Sequence, residues 1–182
     1  MSLVPAHIEN LSPYKPGKSI AHIKQKLGLK YVIKLASNEN PNGPSPLILD
    51  AVKHSLFNYN RYPDSAGFDL RNILATRFNV KIENVILGAG SEGIMSTIMR
   101  TFLRKRDEII AAKNSFIGFR VLANASGFKT NWISMKNYHY NLVSIAKSIN
   151  NQTKIIYLAN PDNPTGTYFN VKQFDAFMSQ VP

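Results

Sequence analysis

From Val85 onward, short apolar segments alternate with amphipathic ones at a nearly constant pitch, and no other feature restricts the chain as much. Apolar runs begin near Val85 (Val85-Ile86-Leu87), Glu108 (Ile109-Ile110-Ala111), Lys129 (Trp132-Ile133) and Lys154 (Ile155-Ile156-Tyr157-Leu158). The steps from 85 to 108, 108 to 129 and 129 to 154 are 23, 21 and 25 residues. Helical periodicity fills the gaps over 91–103, 116–126 and 142–150. Strand, helix, strand at this pitch calls for right-handed crossovers over a mostly parallel sheet, so the expected class is α/β with flanking helices. One more helix is expected over 171–178, with Val171, Phe174, Phe177 and Met178 on its apolar face. Val181-Pro182 then stands where a further strand is due, so an incomplete sheet with an unpaired edge is expected.

Upstream of Val85 the signals are weaker. The first forty residues are rich in Pro and weakly periodic, and an arm laid over another part of the protein is expected there. Ser45-Pro46 has the form of an N-cap followed by Pro at the first helical position. Leu49, Val52 and Leu56 continue at helical spacing to about Phe57. A turn-rich link over 58–64 leads to a second helix, 67–78, expected to bury Leu70, Ile73, Leu74 and Phe78. Asn137 to Asn141 is polar and aromatic, as in a loop. The expected organisation is an amino-terminal arm over 1–45 and part of a larger α/β domain over 46–182.

Composition removes several classes of function. The 182 residues contain no Cys, which excludes disulfide scaffolds, thiolate metal sites and thiolate nucleophiles. Four His residues (His7, His22, His54, His139) show no metal or triad spacing. The net charge of +11 comes from 22 scattered Lys and Arg, whose one tight run, Arg104-Lys105-Arg106, follows a helix-like stretch. Cations are favoured at a helix carboxyl end, so no nucleic-acid partner is expected, although the positive field suits anionic substrates. No apolar run approaches the roughly 20 residues of a membrane span. The first twenty residues lack the apolar core of a signal peptide, and a cytoplasmic location is expected.

Four loop motifs carry the chemistry. Gly88-Ala89-Gly90-Ser91-Glu92-Gly93 lies between an expected strand and helix, where glycines permit a tight turn and free amides can hold a phosphate. It matches the dinucleotide pattern Gly-x-Gly-x-x-Gly, which also asks for an acidic residue after the second strand. Asp107 and Glu108 precede that strand instead, so a plain phosphate cup fits better than a nicotinamide site. Asn160-Pro161-Asp162-Asn163-Pro164-Thr165-Gly166 follows the fourth strand, at the end where open α/β sheets bind ligands. Asn38-Glu39-Asn40-Pro41-Asn42-Gly43-Pro44-Ser45-Pro46 and Arg61-Tyr62-Pro63-Asp64 are turn-formers taken singly.

In this order the four motifs resemble the class I/II pyridoxal-phosphate aminotransferases, and within them the histidinol-phosphate aminotransferase branch, over about residues 8 to 182. The resemblance implies the three-layer large domain of fold type I, represented by its amino-terminal half. It implies pyridoxal 5'-phosphate held through Gly90, Ser91 and Glu92, with Phe116 stacked over the pyridine ring and Asn163 bonded to its phenolic oxygen. Many relatives have Tyr where Phe116 stands; Phe keeps the stacking and loses the hydroxyl. Tyr62 would reach the cofactor phosphate of the partner in a homodimer, and Asn38 and Asn40 would lie near the substrate. No catalytic residue is assigned: the family's Schiff-base lysine, pyridine-pairing aspartate and carboxylate-binding arginine all follow the Asn-Pro-Thr-Gly element. The implied reaction moves an amino group from histidinol phosphate, or a related amino compound, to 2-oxoglutarate in histidine biosynthesis. A chain without that lysine would be inactive alone. A threonine-phosphate decarboxylase-like enzyme shares these motifs and remains an alternative. A small nucleotide-binding module using Gly88–Gly93 and a non-catalytic remnant that only dimerises are the others.

Overall fold

The computed structural model describes residues 2–12, 14 and 16–182. They form two compact units, one of Met1–Tyr14 with Gly88–Pro182 and the other of Lys15–Leu87.

The first unit is built on three parallel strands, β1 (Glu108–Ala112), β2 (Lys129–Ile133) and β3 (Thr153–Tyr157), in the order β2-β1-β3. Ile110 lies opposite Asn131 on one side and Ile156 on the other. Every residue of the middle strand is buried. A parallel strand covered on both faces needs a continuous apolar run rather than an alternating one, and Ile109-Ile110-Ala111-Ala112 supplies it.

Successive strand residues face opposite ways. Ile109 and Ala111 therefore pack with Met99, Leu103, Phe119 and Ala123, while Ile110 packs with Ile145 and Phe177. The first layer comes from α5 (Gly90–Phe102) and α6 (Ile117–Ser126), the second from α7 (Leu142–Lys147) and α8 (Val171–Met178). The result is the expected three-layer α/β/α arrangement. The strands starting near Glu108, Lys129 and Lys154 and the helix over 171–178 are all present. Asn170 and Gln173 close a capping box at the start of α8. Helix α7 stops at Lys147, short of the expected Asn150.

Near the amino terminus the chain forms a short helical element. Residues Ala6–Glu9 form a helical turn, α1, against α6. The His7 ring occupies the place of a Cβ on Gly127, 2.9 Å away, and Gly127 ends α6 with φ +74°.

In the second unit, α2 (Ile20–Leu27) starts where Ser19 Oγ accepts the His22 amide at 3.2 Å and ends at Gly28, φ +64°. Helix α3 (Pro46–Ser55) continues into a 3-10 turn, Leu56–Asn58, and α4 spans Phe68–Phe78. Two expectations are corrected here. Leu70, Ile73 and Phe78 of α4 are more than half exposed and Ala75 is its buried residue, because the neighbouring surface lies on another side of the helix. Arg71 shows which side: Nε and Nη2 donate to the carbonyls of Val85 (2.8 Å) and Ile82 (2.9 Å). The second correction is Val85-Ile86-Leu87, extended at Val85 but not a strand, since among the described residues no neighbour pairs with it.

Candidate active site

The carboxyl ends of β1 and β3 continue into loops 113–116 and 158–170, the end of a parallel sheet where ligands gather. The loop after β3 is held by its own backbone. The Asp162 amide donates to Thr167 O (2.9 Å) and the Gly166 amide to Asp162 O (2.8 Å), with Gly166 at φ +69°. Asn160 adds a two-bond clasp, its Nδ2 donating to Phe169 O and its Oδ1 accepting the Phe169 amide, both at 3.0 Å. Asn163 stands exposed in this loop, and the Asn160-Pro161 and Asn163-Pro164 peptides are cis.

Ser115 and Asp162 join the two loops. Ser115 Oγ donates to Asp162 Oδ1 at 2.6 Å, and Thr165 Oγ1 donates to Asp162 Oδ2 at 2.9 Å. Asp162 is only 4% exposed. Ser115 Oγ also lies 2.6 Å from Tyr140 Oη, which accepts the Ala159 amide at 3.0 Å. Burial is the main influence on Tyr140 and pushes its phenol above the ordinary range, against the hydrogen bond donated by the Ala159 amide. Burial likewise pushes Tyr157 up to about 12; its ring stacks on Phe119 with centroids 3.7 Å apart. Both phenols are thus neutral at ordinary pH.

Phe116, next to Ser115, is the residue before α6 and is half-buried against the Phe119 layer. Its ring passes within 2.6 Å of where a Cβ on Gly118 would lie, so Gly118 lets the ring fold over the helix start. Phe116 and Asn163 are therefore tied through their neighbours, Ser115 and Asp162.

The start of α5 has a different character. Gly90 has φ +65°, its amide donates to Gly88 O at 2.8 Å, and a Cβ there would meet open space. At Gly88 a Cβ would lie 2.7 Å from the tip of the Ile94 side chain, which would have to move aside. Ala89, the N-cap, provides no side-chain acceptor. The first-turn amides of Ser91 and Glu92 have no acceptor within the helix, and both residues are exposed. Free amides at the positive end of a helix suit an anion with several oxygens.

The remaining sequence candidates lie in the second unit. Asn38 sits in an exposed turn with φ +51°. Asn40 supports its own turn, accepting the Asn42 amide and donating to Gly43 O, both at 3.1 Å. The Tyr62 side chain is fully exposed. Asp64, two residues on, accepts the amides of Phe68 (2.7 Å) and Ala66 (3.0 Å), which caps α4 and holds its carboxyl below the usual range. Sequence reasoning missed Ser115, Tyr140 and Thr165 and gave Asp162 no role. The one available signal was a carboxylate between two prolines in a ligand-side loop; nothing in the sequence pointed to Tyr140. Among the described residues no group of three or more His, Asp or Glu could hold a metal ion, and no helix is long and apolar enough to cross a membrane.

The chain is 39% identical over 183 residues to the histidinol-phosphate aminotransferase of Anaeromyxobacter sp. (strain Fw109-5), covering all of this chain and 50% of that protein. It is 41% identical over 175 residues to that of Caldicellulosiruptor saccharolyticus, covering 96% of this chain and 49% of that protein. The chain thus spans about half the length of the curated relatives it matches. Among solved structures, it resembles the histidinol-phosphate aminotransferase of Sinorhizobium meliloti in complex with pyridoxal-5'-phosphate. The TM-score is 0.85 at 22% identity, over 100% of this chain and 49% of that one. An aspartate aminotransferase from Thermus thermophilus superposes with a TM-score of 0.78 at 17% identity, over 99% of this chain and 48% of that one. The family model for aminotransferase class I and II matches residues 30–181, and the chain belongs to that family.

Proposed function

We propose that this chain supplies the cofactor-holding half of a pyridoxal-5'-phosphate-dependent aminotransferase acting on histidinol phosphate and 2-oxoglutarate in cytoplasmic histidine biosynthesis. The observation that carries this reading is the 39% identity to a histidinol-phosphate aminotransferase along the whole chain. The residues present fit the cofactor: the uncapped α5 start, with Gly90 in a left-handed conformation, offers amides rather than side chains to a phosphate. When bound, pyridoxal phosphate supplies an electron-withdrawing ring and a carbonyl that carries the amino group between substrates.

In this reading the Ser91 and Glu92 amides bind the phosphate, together with the backbone at Gly90. Phe116 gives a flat apolar face for the ring and keeps water off it. The Asn163 side-chain amide donates to the ring's phenolic oxygen and orients it. Tyr62, fully exposed, is free to serve a second protomer in a homodimer. Asn38 and Asn40 border the substrate. The lysine that would anchor the cofactor, and the proton transfers it would serve, would lie in the half of the relatives' length that this chain does not span.

The test is a hybrid in which this chain replaces the matching half of the Caldicellulosiruptor relative. The purified hybrid should transfer the amino group of histidinol phosphate to 2-oxoglutarate, and the 182-residue chain alone should not. A folded, cofactor-loaded hybrid that ignores histidinol phosphate and uses aspartate would contradict the substrate assignment. Turnover by the chain alone would contradict the division of labour.

A further inference from the structure

The bond between Ser115 and Asp162 joins residues 47 positions apart, and each is the immediate neighbour of a candidate cofactor contact. A hydroxyl has one proton to give. Ser115 gives its proton to the Asp162 carboxylate, so at the 2.6 Å contact with Tyr140 it can only accept. Tyr140 is then the donor there, while its oxygen accepts the Ala159 amide. The protons are therefore ordered in one direction, from Ala159 N–H through Tyr140 and Ser115 to Asp162. The other oxygen of Asp162 accepts from Thr165, inside the loop that carries Asn163. Asp162 is nearly fully buried and its bonds reach both loops, so neither loop can shift without leaving a buried carboxylate short of a donor.

We propose that Ser115 and Asp162 form a latch that positions Phe116 against Asn163, with Tyr140 acting behind it to orient the Ser115 hydroxyl. This inference rests on the assignment of Phe116 and Asn163 as cofactor contacts; the latch itself is a property of the ligand-free chain. Ser115 and Asp162 are positioning residues, acting through their neighbours. The latch also accounts for an acidic residue between two prolines in a loop whose ligand is anionic.

The amides of Asp162 and Gly166 report on the latch, since both are hydrogen-bonded only within this loop. Hydrogen exchange is measured on the full 182-residue chain, with the amides of β1 as the control. Ser115→Ala should speed exchange at Asp162 and Gly166 by about tenfold or more while β1 stays protected, as loss of a hydrogen bond to a charged group implies. Ser115→Thr, which keeps the hydroxyl, should restore the original rates. Rates at Asp162 and Gly166 within about twofold of the unaltered chain in Ser115→Ala would overturn the latch. If Ser115→Ala also loosens β1, Tyr140→Phe decides, because it removes the donor that orients the Ser115 hydroxyl. Faster exchange at Gly166 with β1 still protected then supports the latch, and exchange there within about twofold of the unaltered chain overturns it. Pyridoxamine 5'-phosphate is the probe for the second arm. Weaker binding in Ser115→Ala, recovered in Ser115→Thr, supports positioning of the cofactor contacts. No binding by the unaltered chain, with the exchange pattern as expected, would remove the cofactor assignment and leave the latch standing.

Discussion

The places of Asn163 and Phe116, the two proposed ring contacts, are set by their neighbours. Asn163 is exposed in a loop, and nothing in its own surroundings distinguishes it from other turn residues. The role proposed for it depends on the hydrogen-bonded frame around it: the Asn160 clasp, the two backbone bonds of Asp162 and the buried Ser115–Asp162 pair. Replacing Asn163 removes one donor without disturbing that frame. In the hybrid enzyme, Asn163→Ala should weaken pyridoxal-phosphate binding about tenfold, with the thermal midpoint unchanged, as loss of one exposed-side hydrogen bond implies. Equal affinity in the two proteins, measured by cofactor titration, would take Asn163 out of the site. The sequence motifs marked Asn163, Gly90 and Phe116 because their types and order follow a family pattern. Ser115 and Tyr140 were hidden, since a hydroxyl becomes informative only when its partner 25 or 47 residues away is known.

Among the elements, those in the first unit were readable and those in the second less so, for a physical reason. β1 and α6 face neighbours on the sheet, and burial there imposes the continuous apolar run and the helical stripe that sequence reading detects. In α4 the stripe of Leu70, Ile73 and Phe78 meets no surface within its own unit, so periodicity identified the helix and misassigned its buried side. Helix α2 was not legible although Ser19 and Gly28 bracket it, because it buries no residue and its short span lies among Pro-rich flanks. Val85-Ile86-Leu87 has strand composition, yet a strand exists only where a neighbour offers hydrogen bonds.

The amino end of the sheet depends on one carboxylate. Glu108, buried at the start of β1, accepts Lys129 Nζ from β2 at 2.6 Å and Asn150 Nδ2, from the segment before β3, at 3.3 Å. The Lys129 hydrogen bond, then that of Asn150, holds its carboxyl below the usual range. A carboxylate whose folded pKa is depressed adds stability above its unfolded value, near 4.3, and loses it as pH falls through the folded value. Glu108→Gln should therefore lower the thermal midpoint at neutral pH, with the difference from the unaltered chain shrinking below about pH 4. A difference independent of pH would show that Glu108 contributes by packing and neutral hydrogen bonding, not by its charge.

For the molecule as a whole, the two units differ in how far they complete themselves. The unit of Met1–Tyr14 and Gly88–Pro182 has a covered central strand and two apolar layers. Among the described residues, the unit Lys15–Leu87 has Ala75 as its one buried apolar residue, and Phe57, Tyr59 and Tyr62 stand exposed close together in sequence. This contrast parallels the comparisons, in which the chain aligns along its whole length with about half of each relative. The fold class was evident from the strand pitch alone, and the family from four loop motifs in order. The substrate was not evident from either, because residues that read a substrate side chain need not lie in the motifs that hold a cofactor.

The central claim, that these residues hold the cofactor by its phosphate at the start of α5, is tested most directly by comparing two ligands on the hybrid enzyme. Pyridoxamine 5'-phosphate and pyridoxamine differ only in the phosphate. The phosphorylated form should bind at least about a hundredfold more tightly, and Gly90→Ala, which strains a left-handed position, should erase most of that advantage. Equal binding of the two ligands, or an advantage untouched by Gly90→Ala, would contradict the assignment.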